Sequence, residues 1–368
     1  MLDSLKNSPF KIGIILVILA VLNVVGWFLY LTWEEPLSES INLSTSTPIT
    51  ENLSPTETPE IGEGDSATVT PEIVITPTNA PVCGAPPTLT VLISGVASEG
   101  YFFGLADSVR IARVDFQKKK ITVLAIPRDL WVDISPTSEY SVYNASGNVV
   151  TNSRLNQAYF FGTEGMQFSN GPGFGSGMLA SVIQENFGLR VDRYLAVNHY
   201  GFRYIIDAIG GIDVYFPQDV NIKWFNTPKL YLEAGLHHLN GRQAEQVVRT
   251  RIEIGDFGRI RNQTLVLKAV ALKMLTPNGI KQIPDFVNRL SDYVLADFSA
   301  SDISQITCLL AMIDPQEDII YQTIPEDMLV GAWVMDDFQG YQVYALTHDQ
   351  EVISDLLAKF QVGEWLEE

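Results

Sequence analysis

The chain has 368 residues with 24 basic against 43 acidic side chains, a formal net charge of −19. That balance excludes nucleic acid as a partner, because a polyanion is repelled on approach. Its two cysteines, Cys83 and Cys308, lie 225 positions apart, which excludes C-x-x-C metal or redox spacing and allows one disulfide in an oxidising compartment.

Residues 1–11 form a short polar start, and residues 12–33 form an apolar run of 22 residues without a charged side chain. As a helix that run is ~33 Å long, enough to span a bilayer core. Lys6 and Lys11 precede it while Glu34 and Glu35 follow it, so the positive-inside bias places the start in the cytoplasm and the rest outside. The run exceeds a signal-peptide core and no A-x-A-like site follows Trp33, so retention as a single-pass cell-membrane anchor is expected. Residues 34–85 are rich in Ser, Thr, Pro and Glu with nothing periodic to bury, and read as an extracytoplasmic linker. A coil of about 45 such residues has a typical reach of ~35–40 Å.

Residues 86–368 suffice for one large domain, with a small appended lobe after about Asp285 as the alternative. TLTVLISGV (Thr88–Val96) reads as a buried strand, SVRIARVDF (Ser108–Phe116) as an alternating one, and KITVLAIP (Lys120–Pro127) as a third after a QKKK turn. Helical patterns follow at Gly177–Gly188, Phe202–Gly211, Gly241–Val248, Asn262–Leu275 and Ser301–Ile313. The mixture predicts an α/β fold, a mixed β-sheet covered by helices on its faces.

The stretch VVRTRIEIGDFGRIRNQ (Val247–Gln263) places Arg249, Arg251, Arg259 and Arg261 within 13 residues of an acidic chain. Two guanidiniums ~7 Å apart repel by ~2 kcal/mol at an effective dielectric of ~20, so a converging set needs an anion. One reading is phosphate, matched by the guanidinium fork; the other is local ion pairing with Glu245, Glu253 and Asp256. Arg249 and Arg251 share a face if the chain is extended, and Arg259 and Gln263 share one if a helix begins near Asp256. Two weaker candidates are Arg128 and Asp129 in IPRDLWV, directly after a strand, and Asp107 in GLADS, open to a hard cation or a proton. Alone, each is an ordinary loop residue. The glycine run Gly171–Gly177 lacks the strand context of a dinucleotide site, and the adjacent His237 and His238 suit no metal motif and read as solvated loop residues.

In order, LISGV, GLADS, IPRD, RLNQAY (Arg154–Tyr159), DAIGGIDV (Asp207–Val214), LNGRQA (Leu239–Ala244) and RTRIEIGDFGRIRNQ resemble the LytR-CpsA-Psr family of bacterial cell-envelope proteins. The resemblance spans about Thr88–Ala271. It implies a long apolar pocket for a polyprenyl chain, and transfer of a glycopolymer from a polyprenyl-pyrophosphate carrier onto peptidoglycan in cell-wall assembly. By position, Arg128, Arg249, Arg251, Arg259 and Gln263 would hold the pyrophosphate, with Arg128 and Asp107 serving catalysis and Asp107 the Mg²⁺. The sequence departs from the family pattern where an acidic residue is usual, at Ala97, where an arginine is usual, at Leu105, and more mildly at Asn262. Arg110 and Arg113 are candidates for the lost donor. The departures set two alternatives beside the transferase, a binding protein without turnover and a polyprenyl pyrophosphatase.

Overall fold

The computed structural model describes residues 33–36, 38–41, 80–134, 141–166, 168, 173–222, 230–251, 254–276, 279–280 and 293–364. Of the apolar run 12–33 only Trp33 falls among them, and no helix of the described residues is long and apolar enough to cross a membrane.

The strands in chain order are β1 (Thr88–Val96), β2 (Ala106–Asp115), β3 (Lys120–Ile126), β4 (Trp131–Asp133), β5 (Asn152–Arg154), β6 (Arg193–Asn198) and β7 (Ile212–Phe216). They continue as β8 (Val220–Ile222), β9 (Leu230–Leu232), β10 (Gly235–Leu239), β11 (Val294–Ala296), β12 (Ile319–Thr323), β13 (Leu329–Asp336) and β14 (Tyr341–His348). The helices are α1 (Leu155–Phe161), α2 (Phe174–Phe187), α3 (His199–Ala208), α4 (Gly241–Arg249), α5 (Gly255–Met274), α6 (Ala300–Leu310) and α7 (Gln350–Val362).

The three early strands pair as antiparallel neighbours, and β6 and β12 join β1 and β3 in parallel, giving a mixed sheet in the order β11-β6-β1-β2-β3-β12. The near-continuous apolar run of β1 follows from burial on both faces. On one face Leu92, Ile111 and Leu124 meet α2 and α7 through Leu179, Ile183, Leu356 and Phe360. On the other, Val91, Ala112 and Val123 meet Leu309 of α6. A second core lies beneath α3, α4 and α5, where Ile206, Val247 and Val266 pack on Ile212, Val214 and Leu239 of the β7–β10 ribbon.

Side-chain caps fix where the helices of the site begin. Asn198 accepts from the Gly201 amide at the start of α3, and Asn240 and Gln243 form a reciprocal box at the start of α4. Gly241 is required because a Cβ there would strike the Arg203 carbonyl, so the start of α4 meets the middle of α3 backbone to backbone. Helix α5 begins at Gly255, seven residues before the periodic stretch from Asn262. Its first turn has no side-chain cap and two glycines, and so little helical signature.

Three expectations change, and the alternative of a separate lobe falls away. His237 and His238 lie on β10 rather than in a loop, with the His238 ring 2.7 Å from Asp213 across the ribbon. The domain begins before residue 86, since the Val82 amide bonds to the Phe116 carbonyl and Cys83 is joined to Cys308 of α6. Part of the linker is docked on the domain. Pro36 bridges Ser299, the Ser38 hydroxyl donates to the Ala296 carbonyl at 2.6 Å, and Ile41 is buried with its amide on Asp297. The last third of the chain is no separate lobe: β11 and β12 are sheet strands, and Ile353, Leu357 and Phe360 of α7 belong to the main core.

Candidate functional site

The parallel strands β1 and β6 end at Val96 and Asn198, and at that carboxyl edge the expected residues gather. Such an edge is where α/β sheets commonly bind ligands, since loops diverge there and expose backbone groups. Asp107 is the second residue of β2, which starts at this edge because it runs antiparallel to β1. Arg128 and Asp129 follow the end of β3, in a turn braced on two sides. The Arg128 carbonyl accepts from the Asn156 amide at 3.0 Å, and the Asp129 carbonyl from the Leu346 amide of β14 at 2.8 Å. Arg249 closes α4, Thr250 is extended, and Arg259 and Gln263 stand one turn apart near the start of α5. The helix that would put Arg259 and Gln263 on one face is present, whereas Arg249 is helical rather than extended, so it turns to Glu245 while Arg251 turns to Asp129 and Asp256. Arg261 points elsewhere, to Glu326 at 3.3 Å on the surface.

Two carboxylates bind the outer cluster together. Asp256 receives Arg259 at 2.5 Å, Arg251 at 3.5 Å and Arg128 at 3.7 Å. Asp129 faces Arg128 at 3.6 Å, Arg154 at 3.8 Å and Arg251 at 4.0 Å. Arg128 also pairs closely with Asp107. An inner cluster centres on Glu245, which meets Arg249 at 2.7 Å, Arg203 at 3.4 Å and the His199 ring at 3.7 Å. Local ion pairing is thus real. Among the described residues six guanidiniums, Arg128, Arg154, Arg203, Arg249, Arg251 and Arg259, share four carboxylates, Asp107, Asp129, Glu245 and Asp256.

Hydrogen bonding is incomplete. Nε of Arg128, Nε of Arg259 and both oxygens of Asp256 are buried without a well-aligned partner, although Asp256 and Arg259 are in contact. The ion pairs are close but off-axis, the state expected of a site whose donors are aimed at a ligand. Burial raises the pKa of Asp129, and repulsion from Asp256 adds to it against the pull of Arg128. Burial, then the neighbouring Arg128, lowers that of Arg259, and burial with Arg249 lowers that of His199.

Behind the clusters lies a cavity of about 580 Å³. Its wall is apolar, formed by Ile93 and Val197 of the sheet, Phe202 of α3, Val266 of α5 and Ile306 and Leu310 of α6. Asp107, His199, Glu245, Arg249, Arg259 and Gln263 line it as well, whereas Arg128 and Arg251 stand outside. Gln263 is held by its own amide on the Val248 carbonyl at 3.2 Å.

The sequence reading missed His199, Arg203 and the membership of Arg154. No local pattern marks the first two, and the arginine of RLNQAY becomes a site residue only because β5 pairs with β4 beside Asp129. Of the two candidate replacement donors, Arg110 lines the cavity, while Arg113 pairs with Asp115 at 2.8 Å and donates to the Gln361 carbonyl on the opposite face. Among the described residues no group of three or more His, Cys, Asp or Glu is placed to hold a metal ion; of the two carboxylates that line the cavity, Glu245 is engaged by Arg249 and Arg203, and Asp107 pairs with Arg128 at its edge. One carboxylate fits Mg²⁺ when substrate phosphates and water supply the remaining oxygens.

The chain is similar to known proteins in sequence and in fold. Over 241 residues the chain is 24% identical to the polyisoprenyl-teichoic acid–peptidoglycan teichoic acid transferase TagU of Enterococcus faecalis, covering 65% of this chain and 68% of that protein. Over 195 residues it is 27% identical to the corresponding transferase TagV of Bacillus subtilis, covering 52% and 44%. The crystal structure of B. subtilis TagV shares the fold, with a TM-score of 0.56 at 21% identity over 76% of this chain and 98% of that one. The LytR_cpsA_psr family is matched across residues 75–356, and the chain belongs to that family.

Proposed function

We propose that this protein transfers a glycopolymer from a polyprenyl-pyrophosphate carrier onto peptidoglycan at the outer face of the cell membrane. The observation that carries the reading is one continuous site, an apolar cavity opening onto a cluster of arginines that outnumber the carboxylates among the described residues. An apolar chain and an anionic head in one ligand match the two halves. The relatives' names give a transferase acting on teichoic acid and peptidoglycan, which agrees with this reading.

The chemistry follows from charge. An acceptor hydroxyl attacks the glycan-side phosphorus, a new P–O bond forms, the bridging P–O bond breaks, and polyprenyl phosphate leaves with the electron pair. The hydroxyl proton passes to solvent. Phosphoryl transfer needs mainly positioning and neutralisation of developing charge. Arg249, Arg259 and Gln263 at the mouth, with Arg128 and Arg251 outside it, hold the pyrophosphate, and Asp107 would hold a Mg²⁺, which would supply further neutralising charge. His199, kept neutral by burial and Arg249, can accept the Arg249 N–H through Nδ1 (3.4 Å) and turn its other nitrogen to the ligand.

The apolar run 12–33 supports a membrane anchor, with the N-terminus cytoplasmic and the domain outside. Tethering raises the effective concentration of a lipid-borne substrate. The deciding experiment incubates the purified protein with a polyprenyl-pyrophosphate glycan, Mg²⁺ and peptidoglycan fragments. Glycan appearing on the fragments together with released polyprenyl phosphate supports the transferase. Phosphate release without transfer points to a pyrophosphatase, and binding without either product points to a protein that has lost turnover.

A further inference from the structure

Arg110 lies in the middle of β2, opposite Ile93 of β1 and Ala125 of β3. It is 1% exposed, the largest of the fully buried side chains, and it lines the cavity. Its Nη2 donates to the Ile260 carbonyl and the Thr264 hydroxyl, each at 3.2 Å. Its Nε and Nη1 are buried without a hydrogen-bond partner, and no carboxylate among the described residues pairs with it. Burial lowers its pKa to about 10, so it remains a cation at neutral pH. Arg113, three residues on, is the contrast: its carboxylate partner and carbonyl acceptor are both present.

An uncompensated buried ion costs several kcal/mol even after relaxation. A methionine would fill the same volume at no such cost, so the arginine answers to something that enters the cavity. Its position says what. Ile260 and Thr264 follow Arg259 on α5 by one and five residues, ~1.5 and ~7.5 Å along the helix axis, in the direction of Val266 of the apolar wall. An anion at Arg110 has therefore passed Arg259 and sits where the apolar wall begins.

We infer that Arg110 is a second phosphate donor seated inside the cavity, which takes the lipid-side phosphate of the carrier and holds it as the leaving group. This deepens the proposed transfer and rests on it. When the bridging bond breaks, the lipid phosphate gains a negative charge, and the two free N–H groups of Arg110 meet that charge. The outer arginines then serve the glycan-side phosphate. A binding consequence follows, because the product keeps the phosphate that Arg110 holds: polyprenyl monophosphate binds well above the bare alcohol and loses only the share that the outer arginines supply to the pyrophosphate.

The test uses the full chain in detergent micelles and three probes, geranylgeranyl pyrophosphate, geranylgeranyl monophosphate and geranylgeraniol. The wild type is expected to bind both phosphates at least tenfold tighter than the alcohol. Arg110→Met should lose about tenfold or more for the monophosphate, keep its affinity for the alcohol, and melt no lower than the wild type. Arg110→Lys, which keeps the charge without the fork, should recover part of the loss and serves as the variant should the methionine not fold. Arg249→Ala should weaken the pyrophosphate more than the monophosphate. Unchanged monophosphate affinity in both Arg110 variants overturns the inference while leaving the transferase reading intact. A wild type that binds neither phosphate better than the alcohol overturns both.

Discussion

Arg249 is the residue at which the functional and structural readings of the arginine cluster separate most cleanly. It ends α4, its side chain is 31% exposed, and Glu245 keeps Arg203 and His199 when it is removed. Arg249→Ala should therefore cost 10- to 100-fold in lipid-pyrophosphate affinity, about 1.5–3 kcal/mol for a charge-assisted contact, with a melting temperature within a few degrees of wild type. A large loss of stability with affinity retained would make the cluster a structural ion pair. Arg259, only 3% exposed and in contact with Asp256, should show both losses, since its removal strips a partner from a carboxylate already short of hydrogen bonds. His199 supplies a pH signature. Its folded pKa is lowered below the unfolded value of about 6.5, so the unfolded chain binds the proton more readily and stability is lost as pH falls below that value. His199→Gln should flatten the fall in melting temperature between pH 7 and pH 5. The curve should not become level, because burial lowers His348 in the same direction. The arginine spacing was visible along the chain. What spacing does not contain is the count of opposing carboxylates, since Asp129, Glu245 and Asp256 come from three separate segments.

Among the elements, the segment Pro36–Ile41 changes the mechanical picture. A linker reaching ~35–40 Å would let the domain wander from the bilayer, whereas docking through Ser38, Ile41 and Asp297 fixes the chain to edge strand β11 three residues after Trp33. At ~3.4 Å per residue those three residues span only ~10 Å, so the cavity wall that includes Ser38 stays close to the end of the apolar run. A chain trimmed to residues 80–368 should melt a few degrees lower than one beginning at residue 34, because burying Ile41 contributes about 1.5–3 kcal/mol before the ordering cost. Equal melting curves would mean that the segment contributes no net stability. Serine, proline and glutamate composition conceals such a contact, as a single buried isoleucine and a few backbone hydrogen bonds leave no periodicity.

Over the whole molecule, the bridge between Cys83 and Cys308 closes a loop of 225 residues and ties the approach to β1 onto α6, which forms part of the cavity wall. Replacing both cysteines by serine should lower stability by about 3–5 kcal/mol, read from denaturant unfolding, and reductant should do the same to the wild type and nothing to the variant. The sheet and most helices were legible in the sequence, because strand and helix periodicities record which side of each element is buried. So were the segments that carry the site, Asp107, Arg128 and the arginines from Arg249 to Arg259, whose residue types and order resemble one family. The start of α5 was not legible, since glycines and a missing cap hide a helix that only its packing specifies. Nor was the direction of Arg110, for a strand that is buried on both faces gives an arginine no polar side to choose. Sequence alone determined the fold class, the family and the charges available. Tertiary structure decided which charges cancel, which arginine is left inside the apolar cavity, and how closely the chain just after the apolar run is strapped to the domain, because each depends on distances between segments far apart in the chain.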